Sequence, residues 1–250
     1  MNDRERKYFF AVFDRLPRGG PGSNATTRKA FRRMTGLPAR PHILDVGCGP
    51  GMQSLELARI SGGRVTAIDI HQPFLDRLTE EASRAGLSDR IAAVNMDMSK
   101  LAFSGRRFDL VWAEGSLYSV GFENALRHLR GVLKRGGWLA ASEAVLFKAE
   151  VPKDVRKFWE TEYPDIADVR GCLQRIERAG YSSVSRFRVP KKDWFTHFYD
   201  PMKVRLDEVR AEYRSVPEAL AMFETLESEV ESYDKFSDYS GYEFFLMRKG

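Results

Sequence analysis

Cysteine is scarce in this chain: Cys48 and Cys172 are the two among 250 residues. That number gives no disulfide framework and no spacing for a metal site, so no metal is expected. Long apolar runs are missing too. None approaches the roughly 18 residues needed to span a membrane, and MNDRERKYFFAVFDR at the start has too short an apolar stretch for a signal-peptide core. A cytoplasmic protein with no membrane partner is the expectation. Charge of one sign is also not in large excess. The formal net charge is +5 and the pI near 9.2, and the basic residues lie among acids, as in KAEVPKDVRKFWETE. Such mixing describes a solvated surface better than a nucleic-acid groove. What remains, 43% hydrophobic and 30% charged residues, is the make-up of a globular chain. Its length suits one well-cored α/β domain with additions, or at most two small domains.

The first half alternates short apolar runs with amphipathic ones. Strands are predicted at 42–46, 64–70, 91–97, 108–113 and 138–145, rich in Val and Ile as strands buried on both faces are. Helices are predicted at 52–61, 73–86 and 122–135. The last carries Phe122, Ala125, Leu126, Leu129, Val132 and Leu133 at helical spacing, and KRGG should stop it with a glycine cap. This alternation predicts a doubly wound parallel sheet with right-handed crossovers, its ligands beyond the carboxyl ends of the strands. Further strands are predicted at 182–189 and 242–248. About fifty residues separate them, too many for an ordinary loop. There Ala219, Met222, Phe223, Leu226, Val230 and Tyr233 form a helical stripe, with Ser215 and Glu218 at capping-box spacing and Pro217 near the first turn.

The segment LDVGCGPG follows the first strand and opens a helix. Gly47, Gly49 and Gly51 let a ligand approach the main chain without interference from a Cβ. No Gly-Lys-Ser/Thr follows, which excludes the Walker pattern, and the dinucleotide fingerprint G-x-G-x-x-G fails because Met52 stands in place of its third glycine. Asp45 would repel a pyrophosphate and suits a ligand with a cationic group. Asp69 ends the second strand, where a carboxylate can accept hydrogen bonds from both hydroxyls of a ribose. Asp97 ends the third, placed to accept from the exocyclic amine of an adenine. Together they describe an adenosine with a positively charged, non-phosphate tail.

With LDVGCGPG the chain resembles the class I S-adenosylmethionine-dependent methyltransferases over about residues 40–145. The resemblance implies an α/β fold with a Rossmann-like doubly wound seven-stranded sheet of order 3-2-1-4-5-7-6, its last strand antiparallel, carrying helical cap insertions. It implies S-adenosylmethionine as cofactor and S-adenosylhomocysteine as product. Gly47, Gly49 and Gly51 would wrap the methionine end, Asp69 and Ile70 would meet the ribose side, and Asp97 with Met98 would frame the adenine. GGPGS near residue 20, with WAEGSLYSVGFENAL at 112–126, resembles a bacterial group related to methyltransferases of small molecules. This adds Gly20, Gly22 and Ser23 as cofactor contacts. The domain plan is then a helical lid at 1–40 and a methyltransferase domain at 41–250, with cap insertions at about 146–170 and 191–240.

Acceptor-side groups are expected from the end of the fourth strand, which lies beside the first. Glu114 is expected to face the sulfonium or the acceptor, and Tyr118 to act as a wall or hydrogen-bond donor. Glu143, ending the fifth strand, is a candidate base. His197, within the aromatic KKDWFTHFYDP, is a candidate proton acceptor because imidazole titrates near neutrality. No proline follows the fourth strand, as amine methylation in DNA usually requires, and neither cysteine has a Pro-Cys context for cytosine-C5 chemistry. A small-molecule acceptor and a homodimer are expected. The competing readings are a non-catalytic S-adenosylmethionine-binding module, a nucleic-acid or protein methyltransferase, and an NAD-dependent oxidoreductase.

Overall fold

In the computed structural model, which describes residues 2–101, 103 and 108–250, two helices precede the first strand: α1 (Asp3–Phe13) and α2 (Asn24–Phe31). The alternating half follows as β1 (His42–Val46), α3 (Met52–Ser61), β2 (Arg64–Asp69), α4 (Gln72–Arg84), β3 (Ile91–Asn95), β4 (Phe108–Glu114), α5 (Phe122–Val132) and β5 (Leu133–Leu146). Then come α6 (Lys153–Glu162), α7 (Val169–Arg178), β6 (Tyr181–Arg188), α8 (Lys191–Trp194), α9 (Asp200–Glu212), α10 (Pro217–Phe236) and β7 (Ser240–Lys249). A π-helical turn, Phe195–Tyr199, joins α8 to α9.

The seven long strands lie in the order 3-2-1-4-5-7-6, with β7 antiparallel to both neighbours. Ala167–Asp168 adds a two-residue pairing to β5 outside that path. The order places the carboxyl ends of β1 and β4 side by side, with Asp45 opposite Trp112 in register. The sheet is covered on both faces, which is why its strands read as near-continuous apolar runs. One face packs against α1, α3, α4, α9 and α10 through Leu57, Leu78, Trp112, Met202 and Phe223; the other packs against α5 and α7 through Leu126, Leu129, Cys172 and Ile176.

Three local expectations are corrected. Helix α5 ends at Val132 and does not run to 135, because Leu133 is already extended and pairs with Phe108 in the sheet. The KRGG residues therefore form an irregular strand start, and the carbonyls of Arg130 and Leu133 accept from Lys249 Nζ at 2.7 Å. Helix α10 starts at Pro217 with Val216 at the cap, so Ser215 lies one position too early and the capping box does not form. Strand β3 stops at Asn95 because the Asp97 carboxylate caps a short 3-10 turn over Met98–Lys100.

The N-terminal segment and the late helices form one roof. Tyr8 meets Tyr213 edge-on at 5.6 Å, Phe13 meets Phe198 at 6.0 Å, and Arg205 Nε donates to the Ala11 carbonyl at 2.9 Å. Among the described residues, no helix is long and apolar enough to cross a membrane.

Candidate functional site

The loop after β1 turns sharply under its glycines. Gly47 has φ +66°, and a Cβ there would stand 2.5 Å from Ser116 Cβ, so only glycine lets β1 and the β4 loop close together. The Gly49 N–H donates to Asp69 Oδ2 at 2.9 Å and the His71 N–H to Asp69 Oδ1 at 2.9 Å. Two main-chain donors thus fix the carboxylate at the rim of a small cleft of about 110 Å³, whose walls include Gly47, Gly49, Gln53, Asp69 and Arg18. Gly51 serves another purpose: at φ +82° it caps α3, and a Cβ would meet Leu78 Cδ1 at 2.3 Å. It holds α3 against α4 and is absent from the cleft wall.

Beneath the cleft lies a buried charge cluster that sequence reasoning missed in part. Arg18 and Glu114 form an ion pair with side chains 3% and 4% exposed. Glu114 Oε1 also accepts from Thr27 Oγ1 and Trp112 Nε1, each at 2.9 Å. Glu114 therefore ties the 18–27 strap to the end of β4 while its edge reaches the cleft wall. Asp45 is fully buried, accepts from Ser54 Oγ, and does not line the cleft. Burial pushes its carboxyl up to about 7, the Glu114 charge adding to the rise and Ser54 and Arg18 opposing it. Arg18 Nη1 and Asp45 Oδ1 have no hydrogen-bond partner. The Arg18 guanidinium thus pairs with Glu114 beside the cleft, and its charge is also felt by Asp45.

The remaining predicted cofactor residues are spread around this centre. Gly20 lines the cleft. Gly22 and Ser23 instead fasten the strap to the roof: Gly22 N–H donates to the Asp193 carbonyl at 3.1 Å and Ser23 Oγ to Asp193 Oδ2 at 2.7 Å. Asp97 accepts from the N–H and Oγ of Ser99 at 2.8 and 2.7 Å, and these bonds hold its carboxyl below the usual range. Met98 approaches Gly47 and lines a second cavity of about 250 Å³ with Val46, Leu117 and His128. Ile70 stands 58% exposed at the end of β2. These residues fit an adenosine with a zwitterionic tail. The orphaned Arg18 N–H is a donor for a carboxylate, Asp69 has oxygens at the rim for hydroxyls, and the glycine loop admits close approach.

A larger cavity of about 420 Å³ lies under the roof, and Gly19, Gly20, Pro21 and Gly115 belong to both its wall and the cleft's. Tyr118 lines it, 51% exposed, with its ring edge-on to Tyr163 at 6.0 Å. Glu143 does not: Ala144 takes the wall position, and the pleat turns Glu143 the other way. Burial pushes its carboxyl up to about 8, with Tyr163 and Arg175 opposing. Its partner in register on β7 is Glu243, which is ion-paired with Arg186 at 2.6 Å. His197 is half-buried on the π-helical turn, outside the wall to which Trp194, Phe198 and Tyr199 contribute. Sequence reasoning also missed Glu229, which lines the cavity from α10. It occupies an outlying position on the apolar stripe, a weak signal visible only once the stripe has a cavity to face.

Residues 43–137 match a family model described as a methyltransferase domain. The chain is 34% identical over 103 residues to a sterol 24-C-methyltransferase, ERG6B, of Gibberella zeae, covering 41% of this chain and 27% of that enzyme. It is 33% identical over 125 residues to the 27-O-demethylrifamycin SV methyltransferase of Amycolatopsis mediterranei, covering 49% and 46%. The chain thus spans less than half the length of these curated relatives. A solved SAM-dependent methyltransferase from Geobacter sulfurreducens, in complex with S-adenosyl-L-homocysteine, superimposes with TM-score 0.84 at 18% identity, covering 98% of both chains. That likeness extends the Rossmann-like α/β fold over the whole chain.

Proposed function

We propose that this chain, whose residues 43–137 match a methyltransferase-domain model, uses S-adenosylmethionine to methylate a small molecule, leaving S-adenosylhomocysteine. One observation carries the reading: the glycine-loop cleft and the roofed cavity share the walls Gly19–Pro21 and Gly115, so their occupants would meet there. When bound, the cofactor supplies an electrophilic methyl on a sulfonium. The chain supplies alignment and shelter from water, the two requirements of an in-line displacement. Gly47 and Gly49 admit the cofactor to the main chain, Asp69 receives its ribose, and Arg18 its carboxylate. Ile70, Asp97 and Met98 flank the adenine side. Glu114 acts as the anchor of the strap, and Tyr118 as a wall of the acceptor cavity. Neither Glu143 nor His197 is assigned a proton-transfer role, since neither lines the cavity.

The relatives named above are a sterol C-methyltransferase and a rifamycin O-methyltransferase, which supports a small-molecule acceptor over nucleic acid or protein. Two buried, unpaired cysteines suit a reducing compartment, and we place the chain in the cytoplasm. The homodimer is kept as a proposal, to be read from its sedimentation. The functional test is calorimetric titration with S-adenosylmethionine, S-adenosylhomocysteine and NAD. Micromolar binding of the first two and none of NAD is expected; NAD binding alone would overturn the assignment.

A further inference from the structure

We propose that the acceptor is an amine with an apolar body, that Glu229 selects it in its cationic form from within the roofed cavity, and that the Glu229 carboxylate takes the ammonium proton so that the freed nitrogen lone pair displaces S-adenosylhomocysteine from the methyl. The proposal rests on the reading of that cavity as the acceptor site. Lys and Arg number 40 in this chain, yet among the described residues no Lys, Arg or His lines the cavity. Its charged lining residues are two acids, Glu229 on α10 and Glu162 at the end of α6. Glu229 is partly buried, and Oε1 accepts from the Tyr199 hydroxyl at 2.8 Å. Glu162 is exposed at the mouth.

Much of the rest of the wall is aromatic. Trp194 stacks on Tyr233 at 3.9 Å between centroids and meets Tyr242 edge-on at 4.7 Å. Tyr118, Tyr163 and Phe158 line the same space. Faces of such rings attract a desolvated cation. One buried lining residue also keeps a polar atom without a partner, Trp194 Nε1. An unused polar atom at a cavity wall is a place for a ligand's own polar groups.

Charge decides between acceptor classes. A carboxylate held by one neutral hydroxyl in a low-dielectric space is undercompensated. Burial raises the Glu229 carboxyl above its ordinary value, the Glu162 charge adding to the rise and Tyr199 opposing it. An anionic acceptor would face two like charges and no counter-charge. A neutral acceptor would leave Glu229 desolvated for nothing. A cation relieves both costs and gains the ring faces.

The test uses three probes of one shape, 2-phenylethylamine, 2-phenylethanol and phenylacetate, titrated calorimetrically into the full chain with and without S-adenosylhomocysteine. The amine is expected to bind at least about tenfold tighter than the alcohol, and phenylacetate not to bind. Glu229→Gln should bring amine and alcohol within about threefold of each other while retaining a cooperative melt. Glu224→Gln, at an exposed position of the same helix, should leave the preference intact. Equal affinity for amine and alcohol, no amine binding at millimolar concentration, or a preference that survives Glu229→Gln would overturn the proposal. S-adenosylhomocysteine binding without amine preference sinks this inference alone. Amine preference without S-adenosylhomocysteine binding sinks the methyltransferase reading and with it the amine's role as acceptor.

Discussion

On the cleft side, Gly47, Gly49 and Asp69 come from two consecutive strand ends, and main-chain N–H groups hold Asp69 in place. On the cavity side, Phe13, Tyr118, Tyr163, Tyr199 and Glu229 come from five separate segments and meet only through the roof. The cleft is set by backbone geometry and hydrogen bonds; the cavity is set by side-chain packing. The two should therefore respond differently to change. Cleft variants should lose cofactor affinity at constant stability, whereas roof variants should lose stability and acceptor binding together. The strap at 18–27 belongs to both, since Arg18 and Glu114 lie beneath the cleft while Gly22 and Ser23 are fastened to Asp193.

The sharpest break in that comparison is Arg18→Ala. It leaves Glu114 buried beside Asp45 without its cation, and breaking such a pair from one side costs roughly 3–5 kcal/mol. Urea denaturation should show that loss together with weakened cofactor binding. Unchanged stability would mean the ion pair does not hold the strap.

Next in size is a pH effect. The Glu143 carboxyl is pushed up to about 8 and that of Asp45 up to about 7, so both bind a proton more tightly in the folded chain. Their contribution to stability is complete below their ordinary values, near pH 4, and is lost as pH rises toward 7 and 8. Wild-type stability should fall across that range by an amount on the order of a few kcal/mol, and Glu143→Gln should flatten the fall. A variant that tracks the wild type from pH 5 to 8.5 would contradict the assignment.

Smaller again is Asp69→Ala, expected to weaken cofactor binding by roughly 1–3 kcal/mol with the melting temperature nearly kept. Undiminished affinity in calorimetry would remove the ribose role. The smallest effect belongs to His197→Ala. Turnover should change by less than about tenfold, since a true proton-transfer group contributes about a hundredfold or more. A larger drop would return His197 to the chemistry.

This division also explains what the sequence made legible. The strand-helix alternation, the turn of the glycine loop and the place of Asp69 at the end of β2 could be read because each depends on local spacing, whereas the strand order, a long-range property, came only with the family resemblance. The pleat gave no such guide at Glu143, where a one-residue alternation sends Ala144 to the cavity and Glu143 away. Asp45 was read as facing a ligand, but it sits beneath the loop on Ser54. Arg18 looked like one of many basic residues, and only the strap's path brings it to Glu114. Glu229 needed the long-range meeting of α10 with α6 and the π-helical turn. KRGG carried the signs of a helix stop, yet sheet pairing of Leu133 overrode them.

The most direct test of the central claim, that cleft and cavity meet across Gly19–Pro21 and Gly115, is a crystal structure of the full chain grown with S-adenosylhomocysteine. The account predicts the ribose on Asp69, the amino-acid tail beside Arg18 and the sulfur directed past Gly115 into the roofed cavity. A sulfur turned away from that cavity, or a ligand bound outside the glycine loop, would contradict it.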